Sequence, residues 1–172
     1  MLATLFQNSS SIDQSIKTPY ILVVLPKLEK IPKKYNVPGE DSLEKLLERR
    51  NMKLTELSRM PVSANLANGE LCSWIMVDTD EPVFSQQTCI RKALKLLLIE
   101  NPSEIHITVY GTTHQKKSFS ELSVYVAWIN GAALPVRKNK PVRTSLAKIF
   151  LYGYQDEQNF TLQRALAEGN LL

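Results

Sequence analysis

The feature that most limits the fold of this chain is an alternation of two periodicities from residue 71 onward. Residues 71–77 (LCSWIMV) form an apolar β-rich run. Next comes a segment over residues 85–100 in which Ile90, Ala93, Leu94, Leu97 and Leu98 fall at i, i+3, i+4, i+7 and i+8. That spacing puts them on one stripe of a helix, which Asn101-Pro102 ends. Residues 104–110 alternate, with Ile105, Ile107 and Val109 on one face of a strand and His106, Thr108 and Tyr110 on the other. Ser118-Phe119-Ser120-Glu121 reads as a capping box opening a helix through Leu122, Val126 and Ile129. Residues 146–152 read as a further strand, broken by Gly153. Asp156 can cap a last helix whose stripe is Leu162, Ala165, Leu166 and Gly169. Strand and helix in strict alternation require crossover connections. The pattern predicts an α/β fold with a mostly parallel sheet covered by helices on both faces.

The front of the chain adds to this frame. Residues 20–25 (YILVVL) read as a buried strand stopped by Pro26. Asp41, with Glu44 three residues on, opens a helix whose buried face is Leu43, Leu46 and Leu47 and which Asn51 closes. Asn68-Gly69 predicts a tight turn between strands at 62–66 and 71–77, which makes the sheet mixed. With 172 residues, 44% apolar and 22% charged, the chain fits one globular domain with a proper core. Its two cysteines, Cys72 and Cys89, match no zinc spacing and suit a reducing, cytoplasmic setting. No basic residue precedes the apolar start, polar Gln7 follows at once, and no run approaches the roughly 20 apolar residues of a membrane span. A soluble protein without a membrane partner is expected.

Chemistry is sparse. His106 sits within a strand and His114 in a polar loop, and neither forms a metal-ligand spacing with the cysteines. Asp78, Asp80 and Glu81 surround a turn after a strand, without the glycine or fourth acid that a calcium loop uses. The stretch from Gly111 to Ser118 follows a strand and ends in Lys117-Ser118, as a phosphate-cradling loop does. Lys116, however, stands where the second glycine belongs. Gly111, Lys117 and Ser118 are therefore candidates for weak anion binding. The net charge of +4 draws attention to a basic stretch with Arg137, Lys138, Lys140, Arg143 and Lys148. It holds no aromatic residue to stack on bases, so it offers non-specific nucleic-acid binding at most and reads better as a solvated loop. No complete catalytic site emerges.

From Leu71 onward the chain resembles the amino-terminal domain of leucyl (cytosol) aminopeptidases. The residues that carry the resemblance are the strand before Asp78, then Ile90-Arg91-Lys92-Ala93, Gly131-Ala132-Ala133-Leu134, the strand at 146–152, and Ala167-Glu168-Gly169-Asn170-Leu171-Leu172, which is similar to the family's AEGxNL segment. The resemblance implies a three-layer αβα domain similar to macro domains over residues 1–155. Residues 156–172 would begin a linker helix towards a catalytic domain not included here. The uncapped Leu171-Leu172 end fits that expectation, with both leucines left without a partner. The implied parent is a cytosolic homohexamer that uses two divalent ions, zinc or manganese, to remove amino-terminal residues from peptides. Its ligands and catalytic residues belong to the carboxyl-terminal domain, where peptides bind, so none is assigned to this chain.

Overall fold

A computed structural model describes residues 2–132 and 145–171. Six strands form one sheet: β1 (Thr4–Asn8), β2 (Tyr20–Pro26), β3 (Val62–Asn65), β4 (Leu71–Val77), β5 (Glu104–Val109) and β6 (Lys148–Tyr152), in the order β1-β6-β5-β2-β4-β3. All neighbours are parallel except β3, which runs antiparallel to β4 at one edge. The helices are α1 (Glu40–Arg49), α2 (Val83–Leu98), α3 (Thr113–Gly131) and α4 (Thr161–Asn170). The three-layer αβα arrangement follows from the alternation along β2. Leu22 and Val24 face a core shared with α2, α3 and α4, while Ile21, Val23 and Leu25 face a second core with Leu43, Leu46 and Leu47 of α1. Burial on both faces explains why β2 reads as an unbroken apolar run and β4 as one interrupted only at Ser73.

The α2 stripe of Ile90, Ala93, Leu94, Leu97 and Leu98 is buried as the spacing predicts, and Asn101 ends the helix in the left-handed conformation. The hairpin also forms, with a different turn. Only Gly69 takes a positive φ (89°), and Gly69 N–H donates to Leu66 O, so a type I turn closed by a left-handed glycine joins β3 to β4. Glu70, next in line, is a buried carboxylate that accepts from both the amide (2.5 Å) and hydroxyl (2.6 Å) of Thr18. Burial opposes its ionisation, but these bonds, with one from Asn68, hold its pKa below the usual glutamate value.

Several boundaries differ from the sequence reading. Strand β1 was not anticipated. Its half-exposed, mixed residues give no strong period, and it is fixed by pairing with the distant β6. Helix α1 begins before Asp41, at Glu40, with Gly39 at the N-cap (φ 66°). A β-carbon on Gly39 would lie 2.8 Å from Cζ2 of the fully buried Trp74 ring, so close packing as well as the backbone favours glycine there. Helix α3 begins at Thr113, not at Ser118. Thr112 Oγ1 accepts from Gln115 N–H (3.1 Å) and Gln115 Oε1 from Thr112 N–H (2.9 Å), an earlier capping box that leaves Ser118 inside the helix. Asp156 caps the turn before α4 by accepting from Phe160 N–H at 2.7 Å.

The largest correction concerns α4. Its stripe does not pack on the sheet: Leu162 is 66% exposed, Leu166 52%, and Ala165 and Gly169 are also exposed. The buried contact is Ala167, flanked by Phe160 and the half-buried Leu171, which packs into the core instead of lacking a partner. Asn170 Nδ2 donates to Tyr125 Oη of α3 (2.7 Å), fixing the helix phase on α3. Leu172 and most of the basic stretch, including Arg137, Lys138, Lys140 and Arg143, lie outside the described residues. Lys148 opens β6 with its side chain exposed.

Candidate functional site

Parallel strands β2, β4 and β5 deliver their carboxyl ends to one edge of the sheet. The chain leaving β2 turns to the α1 layer, while the chain leaving β4 turns to the opposite layer. Such a divergence opens a crevice beyond the strand ends, the usual place for ligands in this architecture. Here it lies beyond Pro26 and Val77. Lys27 and Asp78 leave those ends side by side and pair at 3.4 Å. The 3-10 turn Leu54–Ser58 brings Ser58 and, just after it, Arg59. The first turns of α2 bring Phe84, Ser85, Gln86, Cys89 and Lys92. Together they enclose about 370 Å³.

The thiol and amide groups of the crevice are engaged with backbone carbonyls. The Cys89 thiol donates to Ser58 O (3.1 Å), and burial pushes its pKa up, away from the reactive thiolate. Gln86 is buried and donates to Glu81 O at 2.8 Å. Among the described residues, neither Arg59 nor Lys92 is paired with a carboxylate, and Phe84 stands 76% exposed at the rim. Of the residues singled out in the sequence, Asp78 and Glu81 line this crevice, and Asp78 Oδ1 also accepts from Asp80 N–H (3.0 Å) to brace the turn. Among the described residues, no three of His, Cys, Asp and Glu gather where one metal ion could hold them.

The other candidates stand apart. Gly111 (φ 122°) follows β5, and Gln115 Oε1 lies 2.5 Å from where its β-carbon would sit, so this glycine makes room for the α3 cap. Lys117 is exposed and Ser118 half-buried, both within α3. The Lys116 amide is occupied by Thr112 O at 2.8 Å. His106 is buried as a sheet-face residue. It stacks on Phe150 (4.5 Å), and its Nδ1 lies 3.0 Å from Tyr152 Oη. Burial lowers its pKa, with Glu104 partly opposing. His114 is exposed in the first turn of α3. Tyr110 stacks on Tyr35 at 5.4 Å, and burial pushes its phenol up to about 12, too high for a base at neutral pH. Cys72 is buried, and its thiol is pushed up mainly by burial.

No protein-family model matches the sequence, and no curated protein matches it. Among solved structures, a mutant of tomato leucine aminopeptidase is similar in backbone, with a TM-score of 0.63 at 10% identity. The similarity covers 98% of this chain and 36% of that one. The likeness is one of fold. No helix among the described residues is long and apolar enough to cross a membrane.

Sequence reasoning missed Lys27, Arg59, Phe84 and Lys92 as a group because they come from three places in the chain: after β2, after the 3-10 turn, and on α2. The signal that could have found the crevice is topological. Two adjacent parallel strands end at Pro26 and Val77, each followed by a charged residue of opposite sign.

Proposed function

We propose that this chain is the non-catalytic amino-terminal domain of a cytoplasmic, metal-dependent leucyl aminopeptidase. One observation carries the reading: nearly the whole chain, 98%, matches the backbone of part of a leucine aminopeptidase. The ordered motifs from Leu71 to Leu171 support it, and so does the bare apolar stripe of α4, where a further domain would find Leu162 and Leu166 exposed. In this reading, peptides lose their amino-terminal residues in a carboxyl-terminal domain that holds two divalent ions, zinc or manganese. The metal ligands and the catalytic residues belong to that domain, and none is assigned to this chain. Its part is assembly of the hexamer and control of access.

The test is hydrolysis of leucine p-nitroanilide with added zinc or manganese. The expected result is no turnover by this chain alone, and turnover by a longer gene product that contains it. Activity of the chain alone that follows point substitutions within it overturns the proposal. Micromolar binding of magnesium–ATP, abolished by Lys117→Ala, would instead favour a phosphate-ligand module at the Gly111 turn.

A further inference from the structure

The crevice at the carboxyl edge is one lobe of a longer groove. A second cavity, about 360 Å³, shares Lys27, Ser58 and Arg59 with the first and is walled by Met52 and Met60. Two lobes of nearly equal volume therefore meet at a pair of cations. Lys27 is answered by Asp78 at 3.4 Å; Arg59 is answered by no carboxylate among the described residues. Each lobe has a large apolar side chain held out of the core, Phe84 at 76% exposure in one and Met60 at 58% in the other. Exposed apolar side chains around a polar cleft mark binding surfaces, and methionine adapts its shape to varied partners.

We propose that this groove binds an extended peptide segment in which an acidic side chain stands between two apolar ones. The carboxylate would meet Arg59, whose planar fork matches it. One apolar neighbour lies against Phe84 and the other against Met52 and Met60. A small phosphorylated molecule fits less well, because it would fill a single lobe and leave the other open. A nucleic acid fits less well again, because Glu81 and Glu56 stand in the two lobes and would repel a polyanion. The inference uses the groove alone and does not depend on the aminopeptidase reading.

Methionine makes the test direct. The chain has four: Met1, Met52, Met60 and Met76. Met52 and Met60 report on the groove, and the fully buried Met76 is an internal control. Protein labelled at the methionine methyls would be titrated with acetyl-Leu-Asp-Phe-amide and followed by NMR. The expected result is saturable movement of the Met52 and Met60 signals with Met76 still. The Leu-Asn-Phe analogue should bind about threefold to fivefold more weakly, the scale of one exposed ion pair. Arg59→Ala should erase that difference, and Phe84→Ser should weaken both peptides; both side chains are exposed, so the Met76 signal should confirm an intact fold. No saturable movement, equal binding of the two peptides, or the same movement produced more strongly by inorganic phosphate or by oligo-dT would overturn the proposal.

Discussion

Helices α2 and α4 carry the same kind of signal and meet opposite fates. In both, apolar residues recur at helical spacing. In α2 the stripe is the buried face, with Ile90, Ala93, Leu94 and Leu97 fully enclosed. In α4 the stripe looks outward, and a single alanine, Ala167, makes the fully buried contact. The difference lies in what surrounds each helix. Helix α2 crosses from β4 over β2 to β5 on one face of the parallel strands, which leaves its stripe one place to go. Helix α4 follows the left-handed Phe160 and sits on α3, where a small residue is needed for close approach and Asn170 holds the phase. Periodicity identifies a face; it does not identify the partner.

The comparison can be broken most easily at Leu94. Leu94→Ala should lower stability by about 2–5 kcal/mol in urea unfolding, as for other buried leucines. A loss below about 1 kcal/mol would mean that the α2 stripe is not the core it looks to be. Enlarging the α4 contact comes next. Ala167→Leu should cost about 1–3 kcal/mol by overpacking against α3 and Phe160, whereas a neutral result would show that α4 shifts freely on its neighbour. A third measurement carries the contrast to the sheet face. Burial lowers the folded pKa of His106, so its contribution is full above the unfolded value of about 6.5 and is lost as pH falls below that towards the folded value. The urea midpoint should therefore drop between about pH 7 and 5, and His106→Phe should flatten that drop. An unchanged slope would mean that His106 protonates in place without strain. The smallest effect belongs to the outward stripe. Leu166→Gln should change stability by no more than about 0.5 kcal/mol, since the side chain already meets water. A cost like that of Leu94 would show that α4 is covered by something in solution.

Much of the fold was legible because it rests on local pattern. The runs at 20–25 and 71–77, the α2 stripe and the alternation of 104–110 each determine an element without help from elsewhere. What was illegible depended on partners far away in the chain. Strand β1 exists through pairing with β6, and α4 takes its orientation from Tyr125 and Phe160. The start of α3 was misjudged for another reason: two capping boxes compete, and the earlier one, at Thr112, prevails. The groove was hidden because Lys27, Arg59 and Phe84 come from three elements that only the sheet topology brings together. Asp78 and Glu81 were visible as acids, but their company was not.

The pairing of β1 has a consequence for how the chain is made. In the described sheet β1 touches only β6, with Thr4 opposite Lys148 and Asn8 opposite Tyr152. Trp128 of α3 donates to Ala3 O at 2.9 Å, and Gln7 reaches Asn159. During synthesis β1 therefore has no strand to bind until β2, β3, β4 and β5 have followed. Its open edge waits while β2, β4 and β5 assemble. Long-range pairing of this kind slows folding and exposes an unpaired strand meanwhile. Of the described strands, the first to be made waits longest for its partner.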